Sequence, residues 1–106
     1  MTGVQTCALP IYGRASFVYG THTHVPTCDE TIHASGTAYQ TDIGMTASYH
    51  SIIGMKVEGA LYRMVQRMPQ RFEAVERGGS IFATRVSIDT VTGKALAIER
   101  IHIAAE

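Results

Sequence analysis

The chain has 106 residues, enough for one small domain, and its 45% hydrophobic content suits a packed core rather than a disordered tail. Nine basic residues balance nine acidic ones, which argues against a surface built for nucleic acid or an anionic membrane. No apolar run is long enough to span a bilayer, so the totals point to a soluble, cytoplasmic protein.

Residues 1–11, MTGVQTCALPI, correspond to the translation of a widely used sequencing-library adapter. They have neither the basic start nor the apolar stretch of a signal peptide. Residues 1–12 are therefore expected to be non-native and are set aside. Cys7 goes with them, which leaves Cys28 alone and predicts no intramolecular disulfide.

From there the pattern alternates between strand and loop. Residues 15–19 (ASFVY) are short, apolar and β-rich, and predict a buried strand ending at Gly20. The loop that follows, GTHTHVP, is closed to further strand by Pro26. Residues 27–36 are polar and predict a loop or short turn. Residues 37–41 (TAYQT) predict a second strand, and residues 46–54 a surface loop.

The strongest helix signal covers residues 55–68. There Val57, Ala60, Leu61, Met64, Val65 and Met68 recur at three- and four-residue spacing, and Pro69 ends the run. Residues 71–76 alternate weakly. Residues 81–88 place Phe82, Thr84, Val86 and Ile88 on one face. Thr92-Gly93 marks a turn into a last strand over 95–103, with a break in alternation at Glu99–Arg100. One helix among several strands predicts a layered α/β or α+β architecture.

One group of residues carries chemistry. His22 and His24 are two positions apart, directly after a buried strand and a glycine. On extended backbone such residues point to one side and could serve one metal ion or two adjacent ones. Imidazole suits Zn, Fe or Mn. Two histidines cannot close such a site by themselves, because zinc-type centres use three or four protein ligands. Asp29, Glu30 and Asp42 are the available carboxylates, although acids in polar loops are usually solvated. His33, His50 and His102 are expected to be exposed, and Cys28 has no placed partner that would make it a nucleophile.

The whole of residues 20–55 resembles the YmdB-like bacterial metallophosphoesterases of the calcineurin-like superfamily. The pieces that carry the resemblance are GTHTHV, the Asp29-Glu30 pair, GTAY, TDIGMT and SIIG, in that order. The later PQRFEAVE and DTVTGKALAIERI runs resemble that family's C-terminal strands.

The resemblance implies that residues 13–106 are the C-terminal portion of a metallophosphoesterase domain, a β-sandwich flanked by helices. It implies a hydrolase for small phosphodiesters such as 2′,3′-cyclic nucleotides, using two divalent ions (Fe, Mn or Zn). It implies that His22 and His24 are ligands to different ions of the pair. Asp42 is a candidate support behind them, with a capping or turn role as the alternative. The proton donor and remaining ligands of the family lie upstream of the matched region, so no catalytic residue is assigned here. The parent is expected to be a homo-oligomer, without membrane or nucleic-acid partners. Two rival readings stand beside this one: a catalytically inactive truncated fragment, and a small module that self-associates through its C-terminal hairpin.

Overall fold

A computed structural model describes residues 9–105. The expected non-native segment therefore falls mostly outside the described residues, and only its end is seen. Leu9–Ile11 forms a single 3-10 turn, and Tyr12 lays its ring against His33 with centroids 4.4 Å apart. The described chain has six strands and one helix and divides into two compact units. This is the mixed α/β character expected from the sequence. Among the described residues no helix is long and apolar enough to cross a membrane.

The first unit takes the chain up to Met45 together with Phe82–Ile101. Its sheet has β1 (Phe17–Tyr19), β2 (Thr31–Ile32) and β3 (Ala38–Gln40) in the order β1-β3-β2. β1 runs parallel to β3 with Val18 opposite Tyr39, and β2 runs antiparallel to it with Ile32 opposite Ala38. Because β3 is central, all three of its residues are buried.

Thr37, just before β3, is fully buried and accounts for both functions of its hydroxyl. It accepts from the Gly13 N–H at 2.7 Å and donates to the Ala15 carbonyl at 2.7 Å. β2 lies in a stretch whose polarity predicted only loop. Two residues are too few to show a period, and the neighbouring β3 supplies the pairing.

β5 (Gly79–Ile88) and β6 (Ala95–Ala104) form the long hairpin anticipated around Thr92-Gly93. Asp89 organises its turn. The Asp89 N–H donates to the Lys94 carbonyl at 2.9 Å, and its carboxylate accepts the N–H groups of Val91 and Thr92. Gly93 sits at φ 73°, a left-handed conformation that glycine adopts without strain. Phe82, Thr84 and Val86 are half-buried on one face as expected, whereas Ile88 is exposed.

The second unit comprises Thr46–Ile81 and His102–Glu106. β4 (Ala47–Ser48), another two-residue strand within a predicted loop, pairs antiparallel with the start of β5, and the second sheet has the order β4-β5-β6. The helix α1 (Val57–Gln66) ends at Arg67, which turns left-handed at φ 56° and donates its N–H to the Arg63 carbonyl. Its start is tied down by the Lys56 N–H on the Glu73 carbonyl at 2.8 Å.

Two expectations fail in this unit. The alternating residues 71–76 make a single bridge, Ala74 to Met55, instead of a strand. Their partner turns into α1 right after Lys56, so no further ladder is available. The apolar stripe of α1 also does not build a core: of the helix only Ala60 is buried, and Leu61, Met64 and Val65 are exposed.

Candidate metal-ligand loop

The loop between β1 and Pro26 is shaped at its entrance by Gly20. A Cβ on Gly20 would overlap the Thr41 carbonyl oxygen, so only glycine fits where the ends of β1 and β3 converge. Gly20 donates its N–H to the Gln40 carbonyl at 3.2 Å and accepts from the Ile43 N–H at 3.1 Å. At the exit, Pro26 bridges to Ile43. The residues after β3 therefore form the floor of the loop.

Within the loop the backbone is not extended. His22 has φ 104° and His24 has φ 68°, both in the left-handed region that side-chain-bearing residues avoid. The same-side argument from extended backbone is thus replaced by a tighter geometry, in which the chain reverses its local handedness at each histidine. His22 is exposed and His24 half-buried.

Between them, Thr23 is held by Asp42. One Asp42 oxygen, Oδ2, accepts the Thr23 N–H at 2.8 Å and the Thr23 hydroxyl at 2.7 Å. The other, Oδ1, accepts the Gly44 N–H at 2.8 Å. Asp42 is only 1% exposed. Its burial opposes charge, but the bonds from Gly44 and Thr23 outweigh this, with help from nearby His24, and hold the carboxyl below the usual range. Asp42 therefore clamps Thr23, the residue between the two histidines, to the chain at Gly44.

The other candidate carboxylates are occupied elsewhere. Asp29 accepts from the Thr27 hydroxyl at 2.6 Å, the Thr41 N–H at 3.1 Å and the Thr41 hydroxyl. Burial raises its pKa, and these bonds more than reverse the effect. Glu30 pairs with Arg100 at 3.0 Å. Neither is simply solvated as the sequence suggested; each fastens a loop.

His33, expected to be exposed, is half-buried, with Nδ1 2.8 Å from the Ser35 hydroxyl. His50 and His102 are exposed, as is Cys28. Among the described residues, no three of His, Cys, Asp or Glu gather into a group able to hold a metal. The donor type at His22 and His24 fits a transition-metal site, and the number of donors fits only part of one.

Sequence reasoning missed Gln40, Thr27 and Thr84. The Gln40 amide donates to the carbonyls of Thr27 and Asp42 at 3.0 and 3.1 Å and accepts from the Thr84 hydroxyl at 2.5 Å. A polar residue in a short strand carries no periodic signal that would single it out.

The chain is similar to several known proteins. A 2′,3′-cyclic-nucleotide 2′-phosphodiesterase of Bacillus subtilis is 47% identical over 91 residues, which is 86% of this chain and 34% of that protein. A Thermus thermophilus protein described as hypothetical superposes with a TM-score of 0.89 at 43% identity, over 97% of this chain and 40% of the other. A Mycoplasma pneumoniae phosphatase superposes with a TM-score of 0.87 at 30% identity, over 94% of this chain and 36% of its own. The chain thus spans about a third of the length of the curated relative described here. The family described as YmdB-like protein matches residues 4–101, and the chain belongs to that family.

Proposed function

We propose that the 20–26 loop supplies part of a two-metal centre in a phosphodiesterase acting on small phosphodiesters such as 2′,3′-cyclic nucleotides. The observation that best supports this is the loop's conformation. Two imidazoles flank one clamped threonine, and both sit on backbone of unfavourable handedness. Such strain persists where the surroundings over-determine it, and it clusters at functional sites. The named activity of the Bacillus relative suggests the substrate class.

In the whole protein, divalent ions would neutralise phosphate charge and lower the pKa of a bound water. His22 and His24 would donate neutral imidazole nitrogens. Asp42, through Thr23, would fix the backbone between the two rings before any ion arrives, so that less ordering accompanies binding. The chain's own described residues bring no third ligand to the pair. We therefore infer that this chain by itself binds metal weakly and does not turn over substrate.

Titration with Mn²⁺, followed by calorimetry and by broadening of imidazole NMR signals, tests both parts. The expected result is weak binding confined to His22 and His24 and lost in the double alanine variant. Tight uptake of two ions per chain would refute the partial-site reading. Broadening spread evenly over all five histidines would refute the assignment of the pair.

A further inference from the structure

We propose that Gln40 is a positioning residue for His22 and His24, acting with Thr84 through the peptide that carries Asp42. Its bearing on function rests on the metal-site reading above; its bearing on loop conformation does not.

The starting point is an oddity of the core. Among the described residues, the largest fully buried side chains are Gln40, Thr37 and Asp42, all polar. A buried primary amide is costly unless its hydrogen bonds are made. Those of Gln40 are made: both Nε2 hydrogens reach backbone carbonyls, one on Thr27 and one on Asp42. Its Oε1 receives the Thr84 hydroxyl. A hydrophobic residue would fill the same volume with none of these demands.

What the bonds join explains why an amide is there. Thr84 belongs to β5, Gln40 ends β3, and Asp42 lies two residues further on, at the floor of the loop. The Asp42 peptide is gripped on both sides. Its carbonyl takes the Gln40 amide and the Thr27 N–H at 3.0 Å, and its own N–H donates to the Thr27 hydroxyl at 3.0 Å. With its main chain immobilised, the Asp42 carboxylate can hold Thr23 by two bonds.

The connection runs Thr84, Gln40, Asp42, Thr23, with a left-handed histidine on either side of the last member. None of these side-chain links is needed to pair β3 with β1 or β2, whose register is set by backbone ladders. Buried polar networks of this kind specify one arrangement when every member is satisfied.

The test reads loop conformation in folded protein. HN–Hα couplings and Cα and Cβ shifts report φ at His22 and His24 in the unmodified chain, Gln40→Met, Thr84→Val, Thr84→Ser and Ala60→Gly. The Ala60→Gly variant is a destabilised control in α1. Gln40→Met and Thr84→Val are expected to lose the left-handed signature at both histidines and to weaken Mn²⁺ binding about ten-fold, as losing an outer partner of a ligand commonly does. Thr84→Ser should keep the signature, and Ala60→Gly should melt earlier without altering it.

If Gln40→Met does not fold, Thr84→Val decides. The proposal is overturned if Thr84→Val keeps both histidines left-handed, or if Ala60→Gly disturbs them equally. Should the unmodified chain ignore Mn²⁺ while the two variants still lose the signature, the metal reading falls and the positioning role stands.

Discussion

Gly20 shows how closely the 20–26 loop is fitted. At Gly20 the obstruction is a backbone carbonyl, which cannot swing away as a side chain could. Gly20→Ala is expected to cost about 3 kcal/mol, as overpacking of a tight core does, and urea denaturation measures it. A loss below a few tenths of a kcal/mol would show that the ends of β1 and β3 separate freely.

Asp29 gives a pH dependence. Its folded pKa lies below the unfolded value, so its contribution is complete above the ordinary aspartate range near 3.9 and fades as pH falls through the lower folded value. Thermal melts from pH 7 to pH 3 should therefore show Asp29→Asn less stable than the native chain at neutrality, with the two curves converging in acid. Parallel curves would remove Asp29 from the account. At this scale the sequence was informative about residue type and uninformative about conformation. The His22–His24 spacing and the acid at Asp42 stood out. The left-handed backbone did not, because nothing marks a histidine for positive φ as glycine would be marked.

Among the elements, length decided what could be anticipated. β5, β6 and α1 each run ten residues, long enough for a period to show, and all three were legible. β2 and β4, at two residues each, have no period and exist only because a neighbour pairs with them. Residues 71–76 show the reverse error: they alternate, though weakly, but no strand edge is available to them beyond one bridge. The stripe on α1 was recognised and its destination was not. Periodicity says which residues share a side of a helix and nothing about what covers that side. Val65 is 71% exposed and Met64 69%. Substituting Val65→Glu should therefore change stability by no more than about 0.5 kcal/mol. It should also lower self-association in light scattering, because a charge interrupts an exposed apolar patch. A loss of several degrees in melting temperature would instead show that Val65 is covered in solution.

For the molecule as a whole, the sequence established a mixed α/β chain with a histidine pair, and the structure added a polar interior that its hydropathy did not advertise. Gln40, Thr37 and Asp42 are the largest fully buried side chains among the described residues. The left-handed histidines bear on how such a chain persists over generations. Replacing the exposed His22 with glycine should leave the melting temperature unchanged or raise it, since relief of about 1 kcal/mol of backbone strain exceeds or matches glycine's entropic cost; a marked fall in a calorimetric scan would contradict this. Backbone conformation alone gives no reason to retain imidazole at His22. A lineage that drew nothing from the His22 side chain would be free to drift toward glycine or asparagine there.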